Sequence, residues 1–501
     1  MSQHLQALQT HLAEISHLRA ATALLEWDMQ VNMPPKGAAA RGEQMATLVR
    51  MMHEMFTSDQ TARLLDSAET ETQTQPYESD AASLVRVVRH DYAEATRLPA
   101  AFVAESSQVF TAAHEVWANA RAKDDFASFE PTLTHIIDLT RRRADYLSYS
   151  EHPYDALLNE FERDMTTAQV KAIFDGHRPE LVALLEAISA NTDRVDASIL
   201  HQPFDVNAQR DFAAWVVTQF GFDFERGRHD VAVHPFASGT SRNDVRLTNR
   251  YAPDFFNTSL FGMMHEAGHG MYEQGSAPAL EYTPLAGGSS LGVHESQSRM
   301  WENLVGRSQG FWQWALPELQ KRFPAQFGKA SLETVYTAFN KVQPSFIRVE
   351  ADEATYNLHI MMRFELETAL LNGELQAAQL PQAWNDRCEA YLGIVPPDNR
   401  QGVLQDVHWS AGLIGYFPTY ALGNLLAVQY YEAAVAAVPS IPADIAQGNF
   451  NPLLTWLNHN IHQHGRKFTM NELTQQVTGT SIDAAPYMRY LQTKFGALYG
   501  V

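Results

Sequence analysis

The sequence predicts a predominantly α-helical fold with one small antiparallel β-sheet. Three observations carry that prediction. Apolar residues recur at helical spacing over 80–147, 168–192, 207–220, 295–322, 329–343, 350–375, 421–438 and 484–498. One region departs from this: 231–236 and 244–251 are short, partly alternating runs joined by the turn-rich stretch 237–243, the pattern of a hairpin. No Ser/Gly-rich or Pro-rich tract and no fixed-period repeat divides the 501 residues, so 1–501 reads as one domain.

At the N-terminus, Leu5, Leu8, Leu12 and Ile15 mark an amphipathic helix. A basic region followed by an apolar run is missing there, so no signal peptide is expected. The polar stretch 67–79 reads as an exposed connection. The most apolar stretch, 421–441, is broken by Asn424, Gln429 and Glu432, which argues against a membrane span. A net charge of −21 disfavours binding to phosphate backbones and anionic lipid. The single cysteine, Cys388, excludes an intrachain disulfide and fits a reducing compartment. A soluble cytoplasmic protein without nucleic-acid or membrane partners is expected.

Chemistry concentrates just after the hairpin. His265-Glu266-Ala267-Gly268-His269 reads H-E-x-x-H within a helical pattern. Residues four apart share a helix face, so both imidazoles can grip one metal ion with the glutamate beside them. That set suits Zn²⁺ with an open position and a carboxylate able to take a proton from water, although Co²⁺ or Mn²⁺ also fits the donors. Asn257, Thr258 and Ser259 are N-cap candidates, and Gly275 can end the helix. Phe261, Met264 and Gly268 fall on a buried face. Gly268 and Gly270 each cost about 1 kcal/mol of helix propensity relative to Ala, which implies a close approach by backbone or substrate.

A catalytic zinc needs a third protein ligand. A histidine at 275 would supply it, but that residue is Gly275. Glu273, Glu281, His294, Glu295 and Glu302 remain. Glu273 reaches back poorly, and Glu281 lies in a proline-containing loop. His294 and Glu295 are helix neighbours about 100° apart, so only one of them points at the ion. Glu295 is preferred as a neutralising carboxylate, which leaves His294 for the substrate or for the shell behind the ligands.

Further segments then match a family. They are Trp27-Asp28, Met33-Pro34, Arg41 and Gln44, His234-Pro235-Phe236, and Asp244-Val245-Arg246-Leu247-Thr248. After the zinc motif come His294-Glu295-Ser296-Gln297-Ser298-Arg299 and Ile347-Arg348-Val349-Glu350-Ala351-Asp352. Gly402-Val403-Leu404-Gln405-Asp406-Val407-His408-Trp409 and Gly415-Tyr416-Phe417-Pro418-Thr419-Tyr420 complete the series. In this order they resemble the carboxypeptidase Taq family of metallocarboxypeptidases. The resemblance implies a largely helical, zinc-dependent, often cobalt-tolerant carboxypeptidase, usually a homodimer, with Glu295 as third ligand. A single catalytic domain of broad specificity is expected, with N-terminal helices as a lid over the cleft. Two departures stand out: Asn249 where a second threonine is common, and Glu162-Arg163-Asp164-Met165 where the family tends to have Glu-Pro-Gly-Met.

The expected reaction is hydrolysis of the C-terminal peptide bond, with Glu266 as general base. His234, His408, Tyr416 and Tyr420 are the candidate donors to the oxyanion. Arg348 is the first choice for the substrate carboxylate, because a guanidinium fork can bind both oxygens; Arg246 and Arg299 compete. Asp352 is placed to hold Arg348 or to form a helix ion pair with it. An oligopeptidase cutting internal bonds is the second reading, and a metal-stabilised scaffold the third.

Overall fold

The computed structural model describes residues 3–501. Among the described residues helices dominate, and the one sheet has three strands: β1 (Gly227–Val231), β2 (Ala237–Ser241) and β3 (Asp244–Asn249). The chain forms two compact units. The first contains Met1–Thr96, Ala197–Phe339 and Tyr430–Ser481, and the second contains Arg97–Asp196, Asn340–Gln429 and Ile482–Val501.

The sheet corrects the expected antiparallel hairpin. Its order is β1-β3-β2; β2 pairs antiparallel with β3, but β1 pairs with β3 in parallel. The expected first strand, 231–236, is mostly the crossing from β1 to β2. Pro235 lacks an N–H for a ladder, and Val233 is 77% exposed. The expected turn, 237–243, is largely β2 itself. Its Ala-Ser-Gly-Thr-Ser sequence has little strand propensity of its own and is carried by pairing with β3, with an irregularity at Gly239/Ser241.

Helix boundaries also sharpen. The pattern over 80–147 resolves into Asp80–Arg97, Ala100–Lys123 and Phe126–Leu147. Pro99 starts the second of these, and Asp124, in the left-handed conformation, ends it. The expected exposed connection 67–79 begins later, because Asp59–Thr72 is helical with Leu65, Ala68 and Thr72 buried along one face. That helix and Gln3–Val31 bury Leu5, Leu8, Leu12 and Ile15 in a common cluster with Leu84, Val85 and Val88. Asp352 starts no helix at 350; its carboxylate accepts the backbone N–H groups of Gln343, Ala354 and Thr355, and the helix begins at Tyr356. Among the described residues, no helix is long and apolar enough to cross a membrane.

Both departures have structural consequences. Asn249 is buried and donates Nδ2–H to the Ser259 carbonyl at 2.7 Å, tying β3 to the start of the next helix. Asp164 sits at φ 66°, where glycine is free and aspartate is among the better-tolerated alternatives.

Candidate metal centre

The helix Phe256–Gly275 carries the motif and packs on β3, β2 and the helix Val206–Phe220. Its start has no side-chain cap; extended Phe255 precedes it, so Asn257, Thr258 and Ser259 are not used as caps. Burial of Leu260, Met263 and Met264 compensates, at roughly 1.5–3 kcal/mol for each such side chain. Both glycines answer to close contacts. A Cβ at Gly270 would lie 2.8 Å from Leu247 and from Phe222. One at Gly268 would lie 2.6 Å from the Gln297 carbonyl oxygen and 2.6 Å from Ser298 Cα. Gly268 therefore lets the helix Leu291–Arg299 cross against the motif helix backbone to backbone.

That crossing brings in Glu295. Its Oε2 lies 3.6 Å from His265 Nε2 and 3.5 Å from His269 Nε2. One donor atom from each of the three residues falls within 4.8 Å of the others, the arrangement of two nitrogens and one oxygen around a single ion. Ser290 caps the Glu295 helix by accepting the Val293 N–H. After Arg299 the helix widens into a π-turn, Met300–Val305, a feature common at functional sites.

The orienting groups fit a metal as well. His265 Nδ1 lies 2.9 Å from Glu302 Oε2; a carboxylate only accepts, so the proton sits on Nδ1 and the Nε2 lone pair is free. His269 Nδ1 lies 2.6 Å from His294 Nδ1, and His294 Nε2 lies 2.8 Å from Glu273 Oε1. The same logic runs from Glu273 through His294 and leaves His269 Nε2 free. Glu302 and Glu273, weighed as third ligands from sequence, instead hold the rings. Arg299 donates Nε–H to Glu295 and Nη1–H to Glu302, so this competitor for the substrate carboxylate is tied to the metal centre. Behind the site, His462 bridges Gln297 and Asn458, and its ring lies against Tyr272. Sequence carried no sign of His462, which lies far from the motif.

Burial dominates the electrostatics. It pushes the Glu266 carboxyl up to about 7, helped by Glu295 and Glu302 and opposed by His265. It also lowers His269 to about 4. For Glu295 burial acts upward but is outweighed by Arg299, His265 and His269, so the carboxylate stays ionised. Glu302 is likewise drawn down to about 2, by Arg299 and His265, against its burial. Substituting Glu302→Gln keeps the shape and removes the charge behind His265. Metal affinity, measured by competition with a chelator, should fall about 10–100-fold; unchanged affinity would make the contact purely structural.

The remaining candidates divide between the units. In the first unit, His234 is exposed on the crossing between β1 and β2. Arg246 pairs with Asp244, and its guanidinium lies 4.3 Å from the Trp27 ring centre. In the second unit, Arg348, His408, Tyr416 and Tyr420 form a single cluster. Arg348 is 5% exposed; it donates Nε–H and Nη2–H to Asp406 Oδ1 and Nη1–H to Tyr356. Asp406, not Asp352, is thus its anchor, and fully buried Arg363 binds the other Asp406 oxygen at 2.7 Å. His408 Nε2 lies 3.4 Å from Tyr420 Oη, the Tyr416 and Tyr420 rings meet edge-on at 5.3 Å, and burial lowers His408 to about 4. Below the cluster, Glu367 accepts from Tyr154, Trp409 and the Gly415 N–H. Asp406 and Trp409 lie inside the 402–409 segment, so their presence was readable, but their partners were not.

Two histidines of an H-E-x-x-H helix and a glutamate from a crossing helix, converging on one point, have the donor set of a metallopeptidase. The profile of the carboxypeptidase Taq (M32) metallopeptidases matches residues 7–495. The chain is 43% identical over 497 residues to thermostable carboxypeptidase 1 of Thermus thermophilus, covering 97% of each chain, and 36% identical over 488 residues to carboxypeptidase 1 of Bacillus subtilis, again covering 97% of each. The crystal structure of the M32 carboxypeptidase of Deinococcus radiodurans superposes with a TM-score of 0.97 at 40% identity over 100% of both chains. The chain belongs to the carboxypeptidase Taq (M32) family and is a metallocarboxypeptidase.

Proposed function

We propose that this protein is a zinc-dependent carboxypeptidase of broad specificity that removes residues one at a time from free peptide C-termini. The observation that carries the reading is the convergence of His265 Nε2, His269 Nε2 and Glu295 Oε2, each turned toward a common point by a partner behind it. A zinc ion held there would supply Lewis-acid polarisation and render a water acidic near neutral pH. Glu266 takes the proton of the attacking water and returns it to the leaving amine. Burial acts on its carboxyl in the direction that favours holding a proton between the two halves of that transfer. His234, His408, Tyr416 and Tyr420 are the proposed donors to the developing oxyanion, and Arg246 supports the substrate-binding face beside Trp27.

Arg348 is proposed to receive the substrate carboxylate. Three of its five N–H groups are committed to Asp406 and Tyr356, leaving two for a ligand. The buried Arg348–Asp406–Arg363 trio carries one more positive than negative charge, which favours an incoming anion. The family profile runs unbroken through both units, which supports one catalytic domain, with the N-terminal helices as its lid.

Mass spectrometry of digests of one peptide, free and C-terminally amidated, tests the whole reading. A one-residue ladder from the free peptide, abolished by a chelator, is expected; internal cuts would favour an oligopeptidase. Arg348→Ala should raise KM for the free peptide by about 10–100-fold, in line with about 1.5–3 kcal/mol for a charged hydrogen bond. Any slow cleavage of the amidated peptide should be spared. Equal losses on both substrates would remove Arg348 from carboxylate recognition.

A further inference from the structure

Within the first unit, a cavity of about 250 Å³ opens between the first helix, β2, the end of the motif helix and the loop that follows it. Its walls include Arg19, Arg242, Glu273, Ser276 and Glu281. Three buried polar atoms on these residues have no protein partner: Arg242 Nε, Ser276 Oγ and Glu281 Oε1. They come from the β2–β3 turn, the helix end and the loop. Leaving such atoms unsatisfied costs about 1–3 kcal/mol each, and the same side chains present charged and polar groups along the cavity wall, which suits a polar occupant.

The signs of the lining narrow the occupant. Two guanidinium groups, Arg19 and Arg242, share the cavity with two carboxylates, Glu273 and Glu281. Glu273 is engaged by His294. Glu281 feels Arg226, yet its Oε1 remains unsatisfied. A purely anionic ligand would meet Glu281, and a purely cationic one would meet Arg242. A molecule carrying both charges satisfies each. The volume far exceeds the roughly 30 Å³ share of one water and falls below the ~300–1,000 Å³ that drug-sized ligands occupy. Gly287, at φ 95°, lines the same space; a Cβ there would approach Glu273 Oε1 to 3.8 Å.

We propose that this cavity binds a free α-amino acid, with its carboxylate on Arg242 and Arg19 and its ammonium on Glu281. The product class of a carboxypeptidase is then also a ligand at a second place. Glu273 forms one wall and is also the far end of the chain through His294 to His269. Occupancy therefore adjoins the groups that orient a metal ligand.

Titration calorimetry of the metal-loaded protein with L-alanine tests this, with N-acetyl-L-alanine and L-alaninamide as probes that each lack one charge. Saturable L-alanine binding is expected, weakened about tenfold or more in Arg242→Met and in Glu281→Gln and in both single-charge probes. It should persist in Arg348→Ala, which separates it from product held at the substrate-carboxylate site and from any failure of that assignment. Thermal midpoints close to that of the unmodified protein establish that both cavity variants are folded. Absence of saturable binding, binding insensitive to both cavity substitutions, or binding lost only in Arg348→Ala would each overturn the proposal and leave the cavity to solvent.

Discussion

Glu266→Gln is expected to keep its metal and lose turnover by about 10²–10⁴-fold, the range that a positioned general base contributes. Glutamine has the same shape, so the helix and the triad of His265, His269 and Glu295 are undisturbed. What changes is the ability to accept a proton. Removing an ionisable group from a buried position also removes the desolvation cost of its charge there, the largest influence on this carboxyl. The apparent melting temperature should therefore hold or rise while kcat collapses. Metal content measured by atomic emission, beside kcat on a free peptide, separates the two effects. Retained turnover would exclude Glu266 as the base, and lost metal would make it part of the ion's environment instead.

Gly268→Ala should damage the centre from behind. Alanine favours a helix by about 1 kcal/mol over glycine. Here its methyl group would press on the Gln297 carbonyl and Ser298 Cα at 2.6 Å, and backbone cannot swing aside as a side chain does. Overpacking of this kind costs about 1–3 kcal/mol, so the strain wins over the propensity. The helix that must yield carries Glu295, and a displacement near 1 Å is enough to cost about 10²-fold in rate. Lower metal affinity and a kcat/KM reduced by about that factor are expected. Gly270→Ala is the comparison: its contacts are the side chains of Leu247 and Phe222, which can rotate. That variant should lose stability but keep most of its metal affinity. Equal effects of the two substitutions would remove the backbone crossing as the cause.

The parts of this molecule that sequence revealed are those governed by local periodicity. His265 and His269 share a face because a helix turns every 3.6 residues, and that held without tertiary knowledge. The angle between helix neighbours allowed only one of His294 and Glu295 to point at an ion, Glu295 was preferred as a neutralising carboxylate, and the structure gathers Glu295 with both histidines. Contacts across long separations were beyond reach. The pairing of Arg348 with Asp406, the packing of His462 behind the site and the use of Ala237–Ser241 as a strand all depend on what lies opposite, and a single chain read in order does not state that. The parallel β1–β3 pair was missed for the same reason: a short polar strand acquires its identity from its neighbour. Glycine was the exception. Gly268 announced a close approach from sequence, although not the identity of the approaching backbone.

The two units are interleaved along the chain, and this sets an order of assembly. The first unit draws on three separate stretches, the last of them Tyr430–Ser481. His265, His269 and Glu295 all lie in the middle stretch, yet Gln297, two residues beyond Glu295, rests on His462 from the last. During synthesis, these three residues emerge well before the segment that supports them. The centre therefore cannot reach its final packing until 165 residues beyond Gln297 have been made, and a chain halted before residue 430 would expose the motif helix without its support.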